Sequence, residues 1–321
     1  MNRTKKILLV VAISCIFVGL LLCFGGFAAM GFELAGLNSL TFESHTYTVE
    51  APFAGLFIDV AEGDVHLFPS EDGSCKVVCR ESVQIDHTVR VADGTLTVER
   101  VDHRKWYEHI IGIRWGRMAV DVYLPESAYA SLSATTLSGD VEIPANFSFV
   151  DAKVQSTSGD VRFLASVENE LSVKTVSGNL SVRDVAPKSL YAQSTSGDMT
   201  IASVRVEGEL KLKAVSGDIR FSQVDCGSLE AETTSGEVDA SALRASGELR
   251  IKTVSGDVDL RGCDGDALWI KTTSGDVSGR LLTEKRFVTN TTSGRVRVPN
   301  SASGGSCEVT TVSGDIAFSI E

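Results

Sequence analysis

Ile251-Lys-Thr-Val-Ser-Gly-Asp-Val-Asp-Leu260 is the stretch on which the reading of this chain turns. Between residues 132 and 321 the same Ser-Gly-Asp mark, or a close variant, is written ten times. Its glycines are Gly139, Gly159, Gly178, Gly197, Gly217, Gly236, Gly256, Gly275, Gly294 and Gly314, always 19 or 20 residues apart. A period that strict belongs to a stacked repeat in which each unit is one coil. Ser246-Gly247-Glu248 falls out of phase and reads as a turn in the other half of its coil.

Alignment on the glycine shows what each position requires. Seven residues before it stand Leu132, Leu171, Leu190, Leu229, Leu268 and Cys307; five before it, Val154, Val173, Ile251 and Val309; two after it, Val141, Ile219, Val258 and Ile316. The residues between are mostly polar. That alternation predicts two short strands per coil, apolar inward, flanking a glycine corner and followed by a variable return. Three before the glycine, nine of ten copies carry Thr or Ser, Ala214 being the exception. Its parity points this hydroxyl inward, where it can bond another hydroxyl or the corner backbone. The Asp after the glycine is expected to cap backbone N–H groups of its turn.

The reading is all-β: a single-chain parallel β-solenoid of about ten coils over residues 132–321. Residues 47–131 form a β-rich cap beneath it. Within this cap Leu56, Ile58, Val65 and Leu67 around Gly63 make one degenerate coil, and His87 to Val98 reads as a hairpin turning on Asp93-Gly94. Met118 to Leu124 alternates as a strand before Pro125. The chain ends seven residues after Gly314, so an open strand edge is expected there, a site for self-association or partner addition.

Ahead of the cap, residues 7–29 carry no charge and residues 30–46 form a linker. As a helix these 23 residues span roughly 34 Å, enough to cross a bilayer core of about 30 Å. Arg3, Lys5 and Lys6 precede the span, so residues 1–6 are expected in the cytoplasm and the bulk outside it, in the cell membrane. The alternative is secretion after cleavage of a signal peptide. Beyond that flank, 42 acids face 27 bases, a net of −15. A surface so acidic argues against nucleic acid and against docking on anionic headgroups.

Five cysteines follow the apolar span. Cys263 and Cys307 fall in inward columns and read as core; Cys75 and Cys79, four apart on one strand, are too distant to bridge; Cys226 precedes Gly227 in a turn and has no evident role. Cys75/Cys79 and His103/His109 have spacings met in zinc sites, yet strand geometry separates the members of each pair, and no metal, cofactor or catalytic residue is assigned. A calcium ladder on Asp140, Asp160, Asp198, Asp218, Asp257, Asp276 and Asp315 is the competing reading of the acid column. Asn179 and Arg295 interrupt that column, and a corner role accounts for it. An acid in nearly every coil also singles out no catalytic pair, so the chain is read as a non-enzyme, with a polysaccharide-active enzyme the least favoured option. The cluster from His103 to His109, with Arg104, Trp106, Tyr107, Trp115 and Arg117, is the best sequence candidate for a recognition patch.

The degenerate coil, the β-rich insert closing on Asp121-Val-Tyr-Leu-Pro125 and the serial Thr-Val-Ser-Gly-Asp coils together resemble a bacterial family known as "putative adhesin", of unknown function. The likeness covers about residues 40–321. It implies a cell-surface or envelope-associated protein and carries no catalytic residues across. Two function classes follow: a surface binding or scaffold module with a protein or glycan ligand in the envelope, and an envelope-stress sensing or regulatory partner of another membrane protein.

Overall fold

The computed structural model describes residues 18–19, 42–82, 85–103 and 118–321. It separates Met1–Thr41 with Arg104–Gly116 from a second unit, Phe42–His103 with Arg117–Glu321. Of the first unit only Val18 and Gly19 are described, in helical conformation. Among the described residues no helix is long and apolar enough to cross a membrane. The expected span at 7–29 lies, those two residues apart, outside them. So do Arg104, Trp106, Tyr107, Trp115, Arg117 and His109.

The second unit is a parallel β-solenoid, as its repeats predict. Its first strands are β1 (Phe42–Val49), β2 (Gly55–Glu62), β3 (Asp64–Pro69), β4 (Cys75–Ser82), β5 (Ile85–Ala92), β6 (Thr95–Asp102), β7 (Ala119–Leu124), β8 (Ala128–Ser138) and β9 (Val141–Ile143). β2 and β3 flank Gly63 and pair in parallel with β8 and β9, so the degenerate coil stacks directly on the Gly139 coil although 76 residues separate their glycines. β5 and β6 form the expected antiparallel hairpin, with Asp93 and Gly94 both at positive φ (49° and 72°). β6 then pairs in parallel with the far side of β2, and β7 with the far side of β3. The next layer at this end is therefore made of β6 and β7, with β5 beyond β6. β1 and β4 join it antiparallel, β1 on β4 and β4 on β7.

From Gly139 to Gly275 the coils stack in chain order, and then the order changes. Leu268 faces Cys307, Phe287 faces the other side of Cys307, and both Ser274 and Ser293 bridge to Ser313. The Gly314 coil thus lies between the Gly275 and Gly294 coils. Its strand Ile316–Ile320 is internal, and the open edge expected at the end of the chain belongs instead to Lys285–Asn290 and Val296–Arg297.

In four central coils the return is itself a strand, continuous across Met199–Lys213, Ile219–Glu232, Val238–Lys252 and Val258–Lys271, which gives these coils three sides rather than two strands and a loop. In the central coils the chain bends at a left-handed residue, Ser203, Gln223, Ala242 or Gly262, six after the glycine. A third ladder follows, with Val204, Val206, Val224, Cys226, Leu243 and Ala245 turned inward. Cys226 is one member of that column, not a turn residue; its thiol is buried and lies 3.6 Å from the Arg244 carbonyl oxygen. The residue that distinguishes 19-residue from 20-residue coils is absorbed as a bulge at the end of this side, between Val206 and Glu209 and between Cys226 and Leu229. The out-of-phase Ser246-Gly247 sits at the next such bulge, between Ala245 and Glu248.

The corner glycine answers to crowding more than to backbone conformation. A Cβ on Gly217 would collide with the carbonyl oxygen of Gly197, and the same holds from coil to coil, each corner glycine meeting the glycine of its neighbour. The pairs Gly314/Gly275 and Gly294/Gly314 follow the exchanged order of the last two coils.

Candidate functional site

Three columns meet at this corner, and the structure gives each a different task. The inward hydroxyl three before the glycine donates to the glycine carbonyl of the adjacent coil: Thr136 to Gly63 (3.2 Å), Thr233 to Gly217 (3.3 Å), Thr253 to Gly236 (3.3 Å), Thr311 to Gly275 (3.2 Å). The hydroxyls thus bond the corner backbone and not one another. Ser194 Oγ is buried without a partner.

The acid column forms a ladder. Asp64 Oδ1 accepts from the N–H of Asp140 (2.9 Å), Asp140 from Asp160 (2.8 Å), Asp160 from Asn179 (2.7 Å), Asn179 from Asp198 (3.0 Å), Asp198 from Asp218 (3.0 Å) and Asp218 from Glu237 (2.9 Å). Beyond Glu237 the ladder resumes from Asp257 to Asp276, Asp315 and finally Arg295, at 2.7 Å each. The acids do not cap their own turns, as the sequence suggested. Each accepts from the corresponding residue of the next coil, so Asn serves as well as Asp. Arg295 does not interrupt the column; it closes it, in the outermost coil. One oxygen of each linking side chain is therefore committed to the backbone.

Outside the corner, two before the glycine, lies a column that the sequence reading passed over. In spatial order it runs Leu137, Thr157, Val176, Thr195, Val215, Thr234, Val254, Thr273, Val312, Thr292. Apolar and hydroxyl residues alternate strictly once the last two coils are exchanged. The five apolar members are exposed, from 42% at Val254 to 56% at Leu137. They contribute little to the core, and a row of serines one position on is exposed beside them. Alignment at this position would have revealed the column; its chain-order alternation fails only in the last pair.

The other sides carry ion pairs between coils: Lys211 with Glu230, Lys213 with Glu232 (3.3 Å) and Arg205 with Asp225 (3.3 Å). Two aromatics on the outer faces of the repeat coils are covered by cations of the preceding coil, Tyr191 by Lys174 (5.0 Å) and Trp269 by Arg250 (4.7 Å).

The cap holds a second concentration of chemistry. Cys75 and Cys79 are free and buried on β4, consistent with strand spacing. Cys79 Sγ, a Glu81 carboxylate oxygen and a His87 imidazole nitrogen lie within 4.8 Å of one another, all in buried residues. Glu81 also accepts from the N–H of His87 (2.8 Å) and is bonded to Nδ1 of His87 (3.0 Å) and of His45 (2.7 Å). Burial, reinforced by the Glu81 charge, pushes the Cys79 thiol up to about 12. Burial also holds the His87 imidazole below its usual value against the pull of Glu81. Spacing along the chain could not reveal this group, because β1, β4 and the turn into β5 must first be paired. His66 and His103 lie elsewhere, bonded to Asp121 (2.9 Å) and Asp86 (3.1 Å).

Serial coils, a glycine corner with its Asp ladder and a β-rich cap define a single-chain β-solenoid protein. The chain belongs to the Toastrack DUF4097 family, whose model matches residues 53–260 and 245–321. Among solved structures it is similar to a "putative adhesin" of Parabacteroides distasonis ATCC 8503, at 14% identity over 76% of this chain and 98% of that one, TM-score 0.46. A "putative lipid binding protein" of the same organism matches at 13% over 86% and 97%, TM-score 0.44. A "putative adhesin" of Bacteroides fragilis NCTC 9343 matches at 14% over 87% and 97%, TM-score 0.41. No curated protein matches the chain in sequence.

Proposed function

We propose that this protein is a non-catalytic, membrane-anchored module of the cell envelope that binds a partner along the exposed corner of its coil stack. The observation that carries this reading is the row Leu137, Val176, Val215, Val254 and Val312, exposed at alternate coils on a hydrogen-bonded scaffold. An ordered row of exposed apolar side chains with no packing role is suited to contact with a partner. Here they recur about every 10 Å, two strand spacings, between hydroxyls that supply polar contacts. The non-catalytic half rests on the acid column, whose carboxylates serve as acceptors for the backbone. The location is supported by the uncharged residues 7–29 behind Arg3, Lys5 and Lys6. The partner is a protein or glycan of the same envelope.

The test is binding of the purified protein to isolated envelopes from cells that lack it. Saturable retention is expected, weakened at least tenfold when Val176, Val215 and Val254 are together replaced by Asp, with an unchanged melting temperature. Equal retention of the triple variant would remove the corner as the binding surface.

A further inference from the structure

Glu81 is a buried carboxylate, 2% exposed, among two histidines and a thiol. β1 and β4 pair antiparallel with His45 opposite Cys79, and Glu81 follows two residues later on β4. β5, antiparallel to β4 at Ser82 and Ile85, brings His87 to the same place. Cys79 is 0% and His87 4% exposed, while the His45 side chain remains 52% open to solvent.

This arrangement leaves one buried polar atom unsatisfied. His87 Nε2 is fully buried and has no hydrogen-bond partner, although the opposite ring nitrogen is bonded to Glu81. A buried, unbonded imidazole nitrogen in a residue grouped with a thiol is what a metal-ligating histidine looks like before the ion arrives, its other nitrogen oriented by a carboxylate.

We propose that Cys79, Glu81, His87 and His45 form a binding site for one zinc-class divalent ion. The donor set of thiolate, carboxylate and imidazole is that of borderline-soft metals and excludes calcium and magnesium, which take oxygen ligands. Metal–ligand bonds of ~2.0–2.3 Å set the ligand atoms of a tetrahedral site within about 4 Å of one another. Cys79, Glu81 and His87 already lie within 4.8 Å and need only rotamer-scale contraction to reach this, and His45 joins them through its bond to Glu81 (2.7 Å). Glu81 either ligates through one oxygen or orients His87 from outside; Cys79 and His87 are ligands in both cases. His45, on the open side, is the entry and completes the ligand set. Loading releases the Cys79 thiol proton to solvent and leaves a neutral imidazole at His87. The site ties β1, β4 and β5 together in the layer farthest from the repeats.

The experiment is titration of the reduced, chelator-treated full chain in detergent with Co(II), followed by Zn(II). One equivalent of cobalt is expected to give a thiolate-to-cobalt charge-transfer band that zinc bleaches, and zinc is expected to raise the melting temperature. Cys79→Ser should abolish the band, whereas Cys75→Ser, a buried thiol on the same strand, should keep it. His45→Gln, at an exposed position that leaves the core intact, should weaken binding at least tenfold. No band in the wild-type protein overturns the proposal, as does a band that survives Cys79→Ser or disappears with Cys75→Ser alone.

Discussion

Arg295 and Asp315 are bonded three times, with the order of the chain reversed: the Arg295 N–H donates to Asp315 Oδ1 (2.7 Å), and its Nε and Nη2 donate to Oδ2 (2.9 and 2.6 Å). Asp315 follows Arg295 by twenty residues yet precedes it in the stack. Asp315→Ala removes all three bonds and leaves the backbone ladders in place. The expected result is faster amide exchange confined to Lys285–Arg297, with protection in the Gly236 and Gly256 coils unchanged, as read by hydrogen exchange.

The corner glycines make a sharper prediction. At Gly217 an added Cβ meets the Gly197 carbonyl, a backbone atom that cannot turn aside. Gly217→Ala should destabilise the stack by about 3 kcal/mol, the upper range for overpacking. Gly73 has positive φ (72°) but open space around it, so Gly73→Ala should cost only the left-handed penalty, about 1 kcal/mol. Urea melts of the two variants separate crowding from conformation.

Ala214 is the natural vacancy in the hydroxyl column. Ala214→Ser restores a donor facing the Gly197 carbonyl, in the pattern of Thr233 toward Gly217. A gain of roughly 0.5–1 kcal/mol is expected, and Thr253→Val should lose about the same, since it deprives the Gly236 carbonyl of its hydroxyl. Equilibrium unfolding of both variants checks the pair.

Acid weakens the ladder from a predictable point. The Arg220 guanidinium and the Asp218 N–H hold Asp198 below the usual carboxyl value of 3.8, and Arg295, through its N–H and side chain, does the same for Asp315. A lowered folded pKa contributes stability that is complete above the unfolded value and is lost as pH falls through the folded one. The melting temperature should therefore be level from pH 8 to about 5 and fall below about 4. Asp198→Asn keeps the accepting oxygen, as Asn179 does, and should make that fall shallower.

The thiols should be silent in the apo protein. Burial pushes Cys75 and Cys263 up to about 11 and Cys79, Cys226 and Cys307 up to about 12. At pH 8 these five should resist alkylation in the folded chain and react together in guanidinium, which mass spectrometry reads directly.

Much of this fold was legible because coil neighbours are also sequence neighbours. Period, inward columns, the Asp93-Gly94 hairpin and the core roles of Cys263 and Cys307 all follow from local spacing. The exchange of the last two coils was not, since their column residues would suit either position; Arg295 consequently looked like an interruption. The third side was hidden by its bulge, which shifts the phase at Val206 and Cys226. The Cys79 group was hidden for a related reason: its members meet only through antiparallel pairings that no repeat announces.

The Gly63 and Gly314 coils, first and last of the glycine-marked series, both lie inside a further layer. β2 is held between β6 and β8, and Gly305–Thr310 lies between Trp269 and its neighbours on one side and Phe287 and its neighbours on the other. Whereas β1 at the cap end is held by β4 alone, a pulling force delivered through the Gly314 coil therefore meets strands gripped from two directions. It must shear two ladders together, where a solenoid ending on its last coil would unzip one rung at a time. The lifetime of the folded state under load is set by that unfolding step, not by equilibrium stability. The exchanged layer around the Gly314 coil thereby acts as a clamp against tension.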